Sequence, residues 1–211
     1  MVKKPNARSS DFHQRRHDAT VQTLVAAAEA VMVRQGYHSV TMRDIAAEAG
    51  CAPATLYIYF ENKREVVDAI GARHTRELLV QVRAAMAMEA DGLAKLKATL
   101  RVMVAYANGN RSAFRIVRAV GRARPVGLRD SVPADARDEW QAFWAEEVET
   151  IRQAQAAGAL RGDFTPEVIQ QFWSVILVSL LDELSYQDNP PELAEQVRII
   201  WGFIAGGICR G

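Results

Sequence analysis

The chain has 211 residues, 49% of them apolar, and carries 26 Lys and Arg against 25 Asp and Glu. That length supports one large or two small domains with a sizeable core, and the near-neutral balance argues for no partner by bulk charge. Two distant cysteines, Cys51 and Cys209, offer neither a disulfide framework nor a metal spacing and fit a reduced cytoplasmic compartment; no metal or cofactor is implied, and the longest apolar stretches, Phe172 to Leu181 and Ile199 to Ile208, reach about half the ~20 residues of a membrane span.

The chain reads as all-α: apolar residues recur at three and four, and no alternating strand pattern occurs. Residues 1–17 read as a flexible basic tail with Lys3, Lys4, Pro5, Arg8, Arg15 and Arg16 but no apolar run, which excludes a signal peptide. Met1 to Arg76 holds eleven Lys and Arg against eight Asp and Glu, whereas Glu77 to Gly211 holds fifteen against seventeen. The positive excess lies where a nucleic-acid footprint is expected. A first helix is predicted from Asp18 to Gln35, with Leu24, Ala27, Ala28, Val31 and Met32 facing inward and Gly36 stopping it. Thr41-Met42-Arg43-Asp44 reads as a capping box opening a short helix that ends at Ala49-Gly50. A third helix is expected from Pro53 to about Phe60, with proline at its first turn. Asn62-Lys63-Arg64-Glu65 reads as a second box opening a long helix. Further helices are predicted near 91–108, 111–122, 134–157, 166–187 and 191–208, with Pro125 and Pro133 bracketing a loop.

The informative stretch is Thr41 to Lys63, TMRDIAAEAGCAPATLYIYFENK. Two short helices flank a tight Gly50-Cys51-Ala52 turn, Met42, Ile45, Ala46, Leu56 and Phe60 can bury one another, and Ala46, Ala47 and Ala49 permit close approach. This is the helix-turn-helix arrangement, whose second helix enters the major groove. Spacing alone fits an ordinary helical hairpin equally well.

Residues 20–70 resemble the N-terminal domain of the tetracycline-repressor (TetR) family. The likeness rests on a helix ending in Gly36-Tyr37, then T-x-R-D-I-A-x-x-A-G over Thr41 to Gly50, then T-L-Y-x-Y-F-x-x-K over Thr55 to Lys63. Beyond that stretch the likeness extends to length, helicity and the segment GALRGDFTPE, Gly158 to Glu167, which often precedes the family's eighth helix. The resemblance implies a helix-turn-helix DNA-binding domain over 18–62 and a helical ligand-binding and dimerisation domain over 63–211. It implies a homodimer that binds double-stranded, palindromic operator DNA as a repressor and is released by an unknown small apolar or amphipathic effector, with no membrane partner. The expected DNA contacts are Thr41, Arg43, Ala54, Thr55, Tyr57, Tyr59 and Lys63. Thr41 caps its helix and offers its hydroxyl and N–H to phosphate; Arg43 reaches phosphate or a guanine edge, or else pairs with Asp44 or Glu48. Tyr57 and Tyr59 point about 200° apart and cannot share one job; the resemblance gives Tyr59 and Lys63 to phosphate and Tyr57 to phosphate or a thymine methyl, while small Ala54 and Thr55 let the helix approach closely. The sequence departs from the family in one respect: Pro53 to Phe60 contains no Arg, Lys, Asn or Gln, where many members place a basic residue at the position of Pro53 or Ile58. Base readout then leans on Arg43, Thr55, apolar contacts and DNA shape. Arg15, Arg16 and His17 either reach the DNA or remain a solvated tail.

In the C-terminal half Arg111, Arg115, Arg118 and Arg122 share one helix face, and Asp135, Asp138, Glu139, Glu146 and Glu149 form an acidic stripe. These faces are expected to be solvated or to pair with each other; the sharper alternative gives some arginines to an anionic ligand, a carboxylate or an acyl-coenzyme A phosphate. Ligand-pocket candidates are Met103, Tyr106, Phe114, Val117, Trp140, Phe143, Trp144, Trp173 and Ile176, although such residues serve a core equally well. Gly202 and Gly206 suggest close backbone approach, and with Val197, Ile200, Trp201 and Ile204 they form the expected dimer interface, made together with the preceding helix. No carboxylate pair, metal cluster or Ser/His/Asp set argues for an enzyme. A ligand-blind repressor or an architectural DNA-binding protein is the alternative.

Overall fold

The computed structural model describes residues 7–121, 134–187 and 189–209. Lys3, Lys4, Pro5, Arg122, Pro125 and Pro133 lie outside them. Among the described residues the secondary structure is helical, apart from an isolated antiparallel bridge between Leu160 and Cys209. The chain divides into two compact units, Met1–Ile70 and Gly71–Gly211.

In the first unit, α1 spans Ala7–Gln35, α2 Met42–Glu48 and α3 Pro53–Tyr59, and the unit ends within α4, Lys63–Ala87. α1 starts well before the expected Asp18, because no proline or glycine occurs between Pro5 and Gly36. Its buried face is Leu24, Val25, Ala28, Val31 and Met32, with Ala27 only half-buried. Thr41 caps α2 in a full capping box: the Asp44 N–H donates to Thr41 Oγ1, and the Thr41 N–H donates to Asp44 Oδ2 at 2.8 Å. α2 closes with the Cys51 N–H donating to the Ala46 carbonyl at 2.9 Å, a chain reversal that takes Gly50 to φ 67°. Only glycine adopts that backbone without strain. Pro53 then starts α3 where its missing N–H has no helical partner to lose. Ile45, Ala46 and Leu56 are fully buried, joined by Val66, Val67 and Ile70 of α4. Truncating a side chain such as Leu56 to alanine costs about 2–5 kcal/mol, so this small core fixes the angle between α2 and α3.

The second unit continues α4 and adds α5 (Gly92–Gly109), α6 (Arg111–Gly121), a 3-10 turn (Ala134–Ala136), α7 (Arg137–Ala156), α8 (Pro166–Tyr186) and α9 (Leu193–Ile208). α5 is the hub, touching α6, α7, α8 and α9. Its first residue is a glycine for a reason of space: a Cβ on Gly92 would stand 2.6 Å from the Thr150 carbonyl oxygen and 2.9 Å from the Ala154 Cβ. The segment preceding α8 is a clamp. Leu160 is buried, the Arg161 N–H donates to the Ile208 carbonyl, the Arg161 guanidinium donates to the Gly207 carbonyl, and Thr165 caps α8. No helix among the described residues is long and apolar enough to cross a membrane.

Candidate functional sites

The first unit offers one surface that the fold has built outward. On α3, Pro53, Ala54, Tyr57 and Ile58 are exposed; they fall at i, i+1, i+4 and i+5 and so form a single face. Tyr57 is 53% exposed and Ile58 78%. Thr55 and Tyr59 are half-buried at its flanks, and Arg43 is exposed on α2. Tyr59 meets the ring of His17 on α1, centroids 5.1 Å apart. Arg43 is not the partner of Glu48, whose carboxylate is taken by a forked pair with Arg34 at 3.0 and 2.5 Å.

Two expected phosphate ligands have work inside the domain. Thr41 donates both its N–H and its hydroxyl to Asp44 Oδ2, at 2.8 and 2.7 Å, and these bonds hold the Asp44 carboxyl below its usual range. Lys63 Nζ donates to the Tyr37 and Val40 carbonyls, each at 2.7 Å, and lies 4.3 Å from the Tyr37 ring centroid. Burial pushes this ammonium below its usual value. An ammonium has three hydrogens, so one remains for a further acceptor. Asn62 caps α4 through the Glu65 N–H, and Glu65 reaches back to the Glu61 N–H rather than to Asn62's own.

In the second unit the nine pocket candidates fall into groups. Met103, Tyr106, Trp140, Phe143 and Trp173 are buried in the core, while Phe114, Trp144 and Ile176 pack against it partly exposed and Val117 is half-buried. Phe114 meets Tyr106 edge-on, and Trp140 contacts Phe143 and Trp144. Trp173 and Ile176 line a groove along α8 and α9 instead. Polar groups converge at Tyr106: its hydroxyl donates to Glu77 Oε2 at 2.9 Å and accepts from His74 Nδ1 at 2.7 Å. Burial, reinforced by Glu77, raises the Tyr106 phenol well above its usual range; burial and Arg73 lower the His74 imidazole. A neutral His74 carrying its proton on Nδ1 satisfies both bonds. The buried Trp140 indole N–H has no hydrogen-bond partner.

Two residues of the acidic stripe find partners on α4, where Arg76 pairs with Glu139 and Arg83 forks onto Glu146, while Glu149 pairs with Arg152 of α7 itself. Arg111 donates to the Gln187 carbonyl and to Asn108.

The expected interface residues of α9 divide between two faces. Ile200 and Ile204 are buried in the unit's own core, with Val197 and Trp201 packed against it. The open face carries Ile199, Gly202, Phe203 and Gly206; Phe203 is 80% exposed, and a Cβ on either glycine would meet nothing within 4 Å. Beside it α8 exposes Phe172 and Val175. A groove of about 240 Å³, lined by Phe164, Phe172, Trp173, Phe203, Ile204 and others, runs along this face. Sequence reasoning missed Phe172, Val175, Ile199 and Phe203. The available signal was a helix apolar around most of its circumference, which has a face to spare once its own core is filled.

Residues 24–70 match the family described as "Bacterial regulatory proteins, tetR family". Over 96 residues the chain is 32% identical to the HTH-type transcriptional activator FasR of Mycolicibacterium smegmatis, a match covering 46% of this chain and 43% of that protein. The chain thus spans less than half the length of this curated relative. Among solved structures, the transcriptional regulator FadR from Bacillus subtilis in complex with stearoyl-CoA superposes with TM-score 0.72 and 16% identity, over 88% of this chain and 98% of that one. AibR in complex with isovaleryl coenzyme A and operator DNA gives TM-score 0.64 and 19% identity, over 89% and 97%. These two show the shared fold. Residues 24–70 thus carry the helix-turn-helix domain of the TetR family.

Proposed function

We propose that this protein is a ligand-responsive transcriptional repressor: a homodimer that occupies a palindromic operator through its first unit and releases it when a small apolar or amphipathic molecule binds the second. The observation that carries the reading is the α2–turn–α3 module. Its cores face inward, and one outward face of α3 stands clear with Arg43 exposed on the neighbouring helix. Tyr59 and the third hydrogen of Lys63 serve phosphate, which fixes register and affinity. Arg43, Ala54, Thr55 and Tyr57 meet the base edges, and Thr41 holds α2 in place through Asp44. The open face of α8 and α9 is the dimer contact: an apolar groove beside two uncovered glycines fits the same face of a second copy around a twofold axis. The aromatic interior around Tyr106, Phe114, Trp140 and Trp144, with an unpaired indole donor, suits an amphipathic ligand bearing a hydrogen-bond acceptor. The acyl-coenzyme A complexes of the two solved relatives make acyl thioesters the first candidates.

Release requires the effector to bind the DNA-incompetent arrangement more tightly than the competent one. The test is a titration of acyl thioesters of graded chain length, followed by tryptophan fluorescence and by operator binding. The expected result is a compound that quenches fluorescence and lowers operator affinity at least tenfold, with transcription from the operator-bearing promoter restored. A panel that leaves both signals unchanged contradicts the ligand response, and a promoter that strengthens on adding protein alone contradicts repression.

A further inference from the structure

Among the exposed residues of the outward face of α3, the one side-chain hydrogen-bonding group is the Tyr57 hydroxyl. Pro53, Ala54 and Ile58 are apolar, the helix contains no Arg, Lys, Asn or Gln, and Ile58 is 78% exposed. Such a face is anomalous twice over. A large aliphatic side chain this exposed gains nothing from folding, and a recognition helix ordinarily reads bases by bidentate hydrogen bonds. Exposed cations lie on the neighbouring helices α1 and α2 rather than on α3. Arg43 is exposed on α2, and Arg15 and Arg16 are exposed on α1 immediately before His17, which touches Tyr59. A neutral apolar centre with cationic flanks complements a major groove, whose floor holds the bases and whose rims hold the phosphates.

Of the groups on that floor, only the thymine 5-methyl is recognised by apolar contact alone. We propose that Ile58, with Ala54 one helical turn before it, is a specificity-determining residue that reads thymine 5-methyl groups in each operator half-site. The inference rests on the DNA-binding reading and extends it: at the position that Ile58 faces, base identity is set by a methyl group, not by a hydrogen-bond pattern. Ile58 makes this contact without disturbing the domain, because its side chain lies outside the core formed by Leu56 and Phe60.

The experiment starts from DNA fragments retained by the full chain. In the enriched site each thymidine is replaced in turn by deoxyuridine, which removes the 5-methyl and nothing else. Affinity is expected to fall about fourfold at one thymidine per half-site, the effect of one buried group of methyl size. Placing 5-methylcytidine for cytidine elsewhere leaves binding unchanged. Ile58→Ala binds the thymidine operator more weakly and no longer distinguishes it from the deoxyuridine operator at that position. Retained fragments that bind equally well at every deoxyuridine position overturn the inference while leaving DNA binding intact, as does an Ile58→Ala variant that still discriminates. Retention of no fragment at all overturns the DNA-binding reading and the inference with it.

Discussion

Lys63 donates two of its three ammonium hydrogens within its own domain, to the Tyr37 and Val40 carbonyls of the loop after α1. Hydrogen bonds from a charged donor contribute about 1.5–3 kcal/mol each when partly shielded, so Lys63 is a strut as well as a candidate phosphate ligand. Replacing it with alanine should lower stability by roughly 2 kcal/mol and weaken DNA binding on all sequences alike. An unfolding midpoint equal to wild type would show that the strut contributes nothing. The sequence could place Lys63 at the start of α4, but not the carbonyls that meet it, since those lie 23 and 26 residues earlier. Thr41 gives the same lesson in reverse. Its capping box was legible because both partners lie within one turn, yet that box takes the hydroxyl and N–H that the family likeness offers to phosphate.

Among the elements, α7 and α8 meet through a polar patch that no sequence pattern announced. Glu147 is 2% exposed and accepts from the Trp173 indole at 3.0 Å and from Gln170 Nε2 at 3.3 Å. Burial pushes its carboxyl up from 4.5 to about 7, with the charge of Glu146 adding to the rise. Below pH 4.5 both folded and unfolded chains hold the proton, so the group is neutral to stability there. Between 4.5 and about 7 the unfolded chain ionises while the folded one keeps its proton. Stability therefore falls across that window, by on the order of 3 kcal/mol, and levels off above it. Glu147→Gln keeps an acceptor for Trp173 and removes the titration. Urea unfolding should find the variant more stable than wild type near pH 8, with the gap closing by about pH 4.5. A gap that does not change with pH would mean that Glu147 does not carry the proton. The helices themselves were legible because their punctuation is local: Gly36, Gly50 and Pro53 act at the ends they were expected to mark. The faces of α9 were not, because periodicity identifies an apolar side without saying which neighbour covers it.

At the scale of the whole molecule, the proposed operator binding requires two copies. A single subunit leaves Ile199, Phe203, Phe172 and Val175 facing outward along one surface, where an apolar patch marks an interaction site. Gly202 is the cleanest probe, because a Cβ added there meets nothing within 4 Å in its own subunit. Gly202→Leu should fold with wild-type stability and sediment as a monomer, and its DNA affinity should collapse to that of a single half-site. A leucine variant that stays dimeric, or a wild type that sediments as a monomer, contradicts the interface.

The central claim is that the first unit, borne in pairs, reads DNA. It is tested most directly by sequencing random fragments retained by the full chain. The account predicts enrichment of a palindrome whose half-sites are centred about 34 Å apart, one turn of the double helix, or a multiple of that spacing. Retained fragments no different from the input, or an enriched site without twofold symmetry, would contradict it.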